Sequence, residues 1–140
     1  YCVQDGTIIS DGMVYCIHDE GQGNELFHRH EYKFLAMKMT NGGTRPFGAG
    51  IGNGEIIIDR CIIENDSDIT DVAVHGVTSE TEGKFNPLVS ITNCYLKNGA
   101  QINVASENQK GMVLYSSNSS TKAVNVTDWE LYAWNNEIRS

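Results

Sequence analysis

The hydrophobic residues of this chain follow a pattern that occurs twice, at residues 55–65 and 88–98, with a looser third copy at residues 33–41. In the two full copies the apolar positions have relative offsets of 0, 2, 5 and 7: Ile56, Ile58, Cys61 and Ile63, and then Val89, Ile91, Cys94 and Leu96. One strand would give offsets of 0, 2, 4 and 6, because its side chains alternate. The extra residue therefore predicts two short strands that turn the same face inward across a two-residue bend, at Asp59-Arg60 and Thr92-Asn93.

A second set of short apolar runs follows these copies, at residues 14–18, 47–51, 72–75, 102–105 and 124–127. The repeated segments end at Asp11, Asn41, Asn65, Asn98 and Asn118, between 20 and 33 residues apart. Asn tolerates left-handed backbone and bonds its own turn, so stacked turns favour it. Constant strands with loops of unequal length predict an all-β solenoid wound around one narrow core.

The motif apolar-x-Ile-x-Asn-Cys-x-apolar-x-Asn, seen at residues 89–98, resembles the right-handed parallel β-helix of the pectate-lyase-like superfamily. That superfamily includes polysaccharide lyases, pectinesterases, glycosidases and phage tailspikes. The resemblance covers roughly residues 7–118. It implies a right-handed, single-stranded parallel β-helix of about five to six coils over residues 1–140, with residues 119–140 as a terminal coil or a cap.

The length of 140 residues corresponds to one domain. Five or six coils would stack to only ~25–30 Å and leave strand edges at both ends, so we expect the chain to be a segment of a larger protein. The alternative is a small domain that is capped by its own loops. A net charge of −8 argues against a nucleic-acid surface, and no apolar stretch is long enough for membrane insertion.

The chain has four cysteines, Cys2, Cys16, Cys61 and Cys94, and no Cys-x-x-Cys pair. Cys61 and Cys94 hold the same inward position of the repeat, so we predict that they stack in the core as small hydrophobic residues. A disulfide between neighbouring coils is the alternative, because the strand spacing permits one.

The candidate catalytic residues are His18, Asp19, Glu20 and His75. Aligning the second set of apolar runs places His18 and His75 at one register, with a glycine of residues 47–51 between them. The two histidines would then lie ~9–10 Å apart across a shallow groove that could hold a sugar ring. Histidine can act as a general acid or base near neutral pH, and Asp19 and Glu20 could supply the carboxyl pair of a glycosidase. The alternative is that all four are solvated residues beside a loop.

Two further groups of residues are weaker candidates for a functional site. Asp59, Glu64, Asp66, Asp68 and Asp71, with Arg60, resemble the acidic strand face on which pectate lyases hold calcium and use a basic residue, but we interpret them as a bend and a polar turn. His28 and His30 could form a metal pair on an extended segment. We predict no metal site and no cofactor, with a divalent cation as the alternative.

Tyr132, Trp134 and Arg45 are the candidate carbohydrate-binding residues. Tyr132 and Trp134 share a face if their segment is extended, and together with Trp129 they form an aromatic cluster. Exposed aromatic rings stack on sugars or anchor protein interfaces, whereas buried rings would close the last coil of the core.

The favoured function is that of a phage tailspike or similar surface appendage, a homotrimer that binds or degrades cell-surface polysaccharide on a virion tail or outside the cell. Its basis is fold-level resemblance. A free-standing polysaccharide lyase or glycoside hydrolase is one alternative, and a structural spacer without a ligand is another. The sequence leaves open whether the protein is an enzyme.

Overall fold

A computed structural model gives the fold, and it describes residues 2–12, 16–20, 28–41, 47–51, 54–65, 72–76, 88–97, 101–102, 111–126 and 129–139. The regular elements of these residues are fifteen strands, which confirms the all-β prediction. Within these ranges, no helix is long and apolar enough to span a membrane.

The strands are β1 Cys2–Asp11, β2 Ile17–Glu20, β3 His28–Thr40, β4 Phe47–Ile51, β5 Gly54–Asp59, β6 Ile62–Asn65, β7 Val72–Gly76, β8 Leu88–Thr92, β9 Tyr95–Leu96, β10 Gln101–Ile102, β11 Met112–Ser116, β12 Ser119–Ser120, β13 Asn125–Val126, β14 Glu130–Trp134 and β15 Glu137–Ile138.

Ten of these strands form one curled parallel sheet in the order β14-β11-β8-β5-β3-β6-β9-β12-β15, with β1 beside β3. The long strand β3 joins its two halves, because residues 28–33 pair with β5 and residues 36–39 pair with β6. Two smaller parallel sheets contain β2-β4-β7 and β10-β13. Parallel strands that are laid side by side in sequence order are compatible with a β-helix or solenoid.

The two halves of the large sheet meet at a column of residues with left-handed backbone, which we call the corner column. It consists of Asp5, Phe34, Arg60, Asn93, Ser117 and Asn135, all with φ between 52° and 61°. The strand registers bring these residues side by side. The predicted bends at residues 59–60 and 92–93 are confirmed, but the turn is made by Arg60 and Asn93 alone, while Asp59 and Thr92 still belong to strands.

The core lies on the inner side of this corner. All eight residues predicted from the repeat are at most 3% exposed, namely Ile56, Ile58, Cys61, Ile63, Val89, Ile91, Cys94 and Leu96. The looser third copy contributes Leu35, Met37 and Met39. Phe47 of β4 packs edge-on against Tyr32, with ring centroids 5.0 Å apart, and so brings a smaller sheet onto the same core.

A repeated hydrogen-bonded contact holds the corner together. Asn118 follows the corner residue Ser117, and its Oδ1 accepts a hydrogen bond from the Cys94 N–H of the preceding strand at 2.8 Å. Its Nδ2 donates to the Ile91 carbonyl at 2.9 Å. We call this pair of bonds a corner clip. Asn136 forms the same clip one strand later, with the N–H of Asn118 and the carbonyl of Tyr115.

Two cysteines make the same contacts through sulfur. The Cys61 N–H donates to Cys94 Sγ at 3.4 Å, and that sulfur lies 3.5 Å from the Ile58 carbonyl oxygen. Cys61 Sγ likewise donates to the Tyr32 carbonyl at 3.4 Å. Cys61 and Cys94 stack as predicted, and both are free thiols. Their mutual hydrogen bond and burial raise the pKa of Cys94, which keeps this thiol protonated and able to donate.

The inward phase of the repeat can be tested with Ile63 and its neighbour Ile62. Ile63 is fully buried, whereas Ile62 is 47% exposed. Ile63→Ala should lower the free energy of unfolding by ~2–5 kcal/mol, and Ile62→Ala by much less. Urea denaturation of both variants measures the difference, and equal losses would show that the assigned inward face is wrong.

The corner clip can be tested at Asn118. Asn118→Ala leaves the Cys94 N–H and the Ile91 carbonyl without their partner, which should cost about 2–4 kcal/mol of unfolding free energy. Asn118→Cys should recover part of this loss, because Cys94 makes the same contacts one strand earlier. Asn118→Leu is the control that fills space without a polar group. A leucine variant as stable as the parent would refute the clip.

Candidate functional site

The predicted catalytic residues lie on β2 and β7, which are joined through β4. Ile17, Phe47 and Val72 share one register, so His18 pairs with Gly48 and Gly48 with Ala73. The predicted alignment of His18 with His75 is therefore wrong. His75 pairs with Gly50, and Gly50 pairs with Glu20. Asp19 pairs with Ala49.

The misalignment is a slip of two residues. Side chains on a strand point the same way at every second residue. A register shift of two therefore leaves the inward-facing residues facing inward, and the sequence pattern does not reveal it. Ile17-His18 and Val74-His75 look alike for this reason, although Ile17 is matched to Val72. Glu20 and His75 now flank Gly50, with backbones ~9–10 Å apart across β4. The catalytic role of His18, Asp19, Glu20 and His75 stays a prediction.

Several other predicted residues receive no support as a site. Arg45, Asp66, Asp68 and Asp71 lie outside the described residues. His28 begins β3, and His30 pairs with Ile56. In the part of the chain that the structure describes, no three His, Cys, Asp or Glu residues lie together as a metal site.

The aromatic cluster divides into a buried and an exposed part. Trp129 belongs to the core and packs directly on Gly111, where a Cβ atom would lie 2.3 Å from the indole ring. Tyr132 and Trp134 are 48% and 54% exposed at alternate positions of β14. Trp129 therefore closes the core, while Tyr132 and Trp134 present aromatic surface to solvent.

The outer side of the corner forms a feature that sequence reasoning missed, an open groove of about 340 Å³ that we call the corner groove. Its lining residues come from three neighbouring passes of the chain: Arg60, Cys61 and Ile62, then Asn93, Cys94 and Tyr95, then Ser117 and Ser119. The side chains of Cys61 and Cys94 point into the core, so these two residues form the floor.

Charge at this groove is balanced within the protein. Arg60 forms an ion pair with Asp59, and its guanidinium lies 5.7 Å from the centre of the Phe34 ring. Asp59 Oδ1 also accepts hydrogen bonds from Thr92 Oγ1 at 2.7 Å and Asn93 Nδ2 at 3.1 Å. Burial acts to raise the pKa of Asp59, but these hydrogen bonds and the Arg60 charge outweigh it and hold the pKa below its usual value. Asp59 is therefore ionised at neutral pH.

Two neighbouring acids on this outer face, Glu31 and Glu55, are paired as well. Glu55 accepts a hydrogen bond from Arg29 Nε at 2.5 Å, and Glu31 forms ion pairs with Arg29 and with Lys33. Hydrogen bonds and charge from Lys33 and Arg29 outweigh burial and lower the pKa of Glu31. Because their pKa values are lowered, Glu31 and Asp59 are poor proton donors, so this face suits binding better than acid catalysis.

The repeat itself contained a signal for the groove. Arg60 and Asn93 occupy the same position of the two full copies, and so do Ile62 and Tyr95. Aligning the two copies places these outward residues side by side, as it does the inward ones. The outward positions carry no apolar periodicity, so the sequence pattern alone indicates a polar turn and not a stacked column.

The paired state of Asp59 predicts a pH dependence of stability. Because its pKa is lower in the folded protein than in the unfolded chain, the ionised carboxylate stabilises the fold above roughly pH 4, and this stabilisation is lost as the pH falls through the folded-state value. Asp59→Asn should cost about 1 kcal/mol at pH 7, and the difference from the parent should shrink below pH 4. Thermal unfolding across pH measures it, with Glu64→Gln as the control. A constant difference would contradict the assignment.

Neither a known protein family, nor a curated protein, nor a solved structure gives a significant match to this chain.

Proposed function

We propose that this chain forms a right-handed, single-stranded parallel β-helix of about five to six coils that binds cell-surface polysaccharide. In this proposal it belongs to a phage tailspike or similar surface appendage, forms a homotrimer, and acts on a virion tail or outside the cell. The parallel columns of strands, and the stacked corner residues with left-handed backbone conformation, support the proposed architecture.

The observation that carries the functional part is the pair of exposed aromatic rings on β14. Tyr132 and Trp134 lie two residues apart, about 6.8 Å along an extended strand. Each exposes about half of its surface to water, although large aromatic side chains gain stability when they are covered. The C–H faces of successive sugar rings can cover two such side chains, and the hydroxyl groups on the ring edges stay solvated.

Binding is favoured over degradation by the state of the carboxylates near the corner. Glu31, Glu55 and Asp59 all engage cations, and the lowered pKa values of Glu31 and Asp59 make these two poor candidates for the general acid that a hydrolase needs. Degradation by a lyase or hydrolase is the alternative, and it would place the chemistry at Glu20 and His75 on the smaller sheet.

A glycan array followed by calorimetric titration tests the aromatic pair. Trp134→Ala and Tyr132→Ala should each weaken polysaccharide binding by about tenfold, because each removes one stacking surface. Leu131→Ala is the matched control, since it truncates an apolar residue of the same strand at the intervening position. Equal weakening in all three variants would point to disruption of β14 instead of lost stacking, and would contradict the proposal.

Two further measurements separate the alternatives. A clean monomer by light scattering at high concentration would count against the homotrimer. Cleavage of a bound polysaccharide that is lost in Glu20→Gln or His75→Ala would favour an enzyme, whereas a protein that binds no glycan would favour the structural spacer.

A further inference from the structure

We propose that the corner groove is a second sugar-binding site, and that it takes a neutral polysaccharide chain lying along the stack of strands. This inference rests on the proposed function and adds to it a place and a substrate class. The groove is separate from Tyr132 and Trp134, which do not line it.

The shape of the groove suits a chain with a short repeat. One wall carries Arg60, Asn93 and Ser117, and the other carries Ile62, Tyr95 and Ser119, each set in neighbouring registers of parallel strands. Adjacent parallel strands lie ~4.8 Å apart, close to the length of one pyranose ring in an extended polysaccharide. Successive rings can therefore meet equivalent positions on successive strands.

The two walls offer the mixture of surfaces that sugars require. Ile62 is exposed and Tyr95 half-buried, so this wall presents apolar and aromatic surface to a ring face. On the other wall, Ser117 Oγ accepts a hydrogen bond from Asn135 Nδ2 at 3.0 Å, which leaves its hydroxyl proton as a donor. Asn93 gives an N–H to Asp59 and keeps its amide oxygen as an acceptor.

The floor contributes shape and little polar recognition. The Cys61 carbonyl accepts from the Tyr95 N–H at 3.0 Å, and the Cys94 carbonyl accepts from the Ser119 N–H at 2.8 Å. The N–H groups of Cys61 and Cys94 are held by corner clips. Specificity must therefore come from the side chains of the walls.

Charge selects the substrate class. Arg60, the single cation among the described residues that line the groove, is already matched by ionised Asp59, and the whole chain carries a net charge of −8. A uronic-acid chain would bring carboxylates to a site without a spare positive charge and into a negative overall field. A chain of uncharged sugars meets no such cost.

The line of the groove also leads toward the exposed aromatic pair. Ser117 is in register with Asn135, and Trp134 directly precedes Asn135 on the next strand of the sheet. A polysaccharide that follows the stack from Arg60 past Ser117 therefore approaches Trp134.

The test is an NMR titration of the full chain with cellohexaose, maltohexaose and mannohexaose, and with hexagalacturonate as the acidic counterpart. At least one neutral hexaose should shift the backbone amide signals of Tyr95, Ser117 and Ser119, and hexagalacturonate should bind at least tenfold more weakly. Tyr95→Ala should weaken the neutral hexaose about tenfold, while Ser90→Ala, on the same pass of the chain but outside the groove lining, should leave its affinity unchanged.

The outcomes distinguish this inference from the function it rests on. Shifts confined to the Trp134 indole and its neighbours, with the groove signals unmoved by every neutral hexaose, would overturn the groove site and leave the proposed function standing. Tighter binding of hexagalacturonate would overturn the neutral substrate class. If the array and all four hexasaccharides give no binding, the proposed function itself fails.

Discussion

The corner clip is the constraint on which this fold depends. A chain that turns through a left-handed residue interrupts its own sheet ladder, and a buried N–H or carbonyl without a partner is costly. The clip supplies both missing partners from the next strand, through Asn118, Asn136 or a cysteine sulfur. It fixes the register between neighbours, so inward residues stack on inward residues and the narrow core fills. The corner column, the core and the groove all depend on this turn, whose unpaired backbone groups are hydrogen-bonded by the next pass of the chain.

The same geometry separates stability from recognition. Inside the corner, Ile58 and Ile63 are confined to apolar side chains by burial. On the outer side of the corner, the stacked side chains do not pack in the core, and their type changes from Ile62 to Tyr95 to Ser119. A regular stack therefore presents a surface whose chemistry is set position by position on a fixed backbone. This is the division that long carbohydrate ligands require, because they need many modest contacts at constant spacing.

The sequence was sufficient for the inward half of the fold and insufficient for the rest. The offsets around Cys61 and Cys94 predicted the core, the bends and the parallel stack because burial constrains those positions strongly. The clips at Asn118 and Asn136 were missed, since an amide that replaces a thiol breaks the apolar pattern while keeping the hydrogen bonds. The predicted register of the second set of strands was wrong by two residues, because the alternation of side chains does not detect a shift of two. In the structure, Glu20 and not His18 is in register with His75. Outward sites such as the groove leave no periodic apolar signal at all.

The use of two different side chains for one contact means that the middle of the stack, at Cys61 and Cys94, and its C-terminal end, at Asn118 and Asn136, degrade by different chemistry. At Cys61 and Cys94 an oxidant that reached the sulfur would turn it into a larger, more polar group. At Asn118 and Asn136 slow hydrolysis of the amide would leave a carboxylate, which still accepts the N–H but faces the carbonyl of Ile91 or Tyr115 with oxygen against oxygen. Burial shields Asn118 as well as both cysteines, whereas Asn136 is exposed. Heat and alkaline storage should therefore act first at Asn136, directly after strand β14.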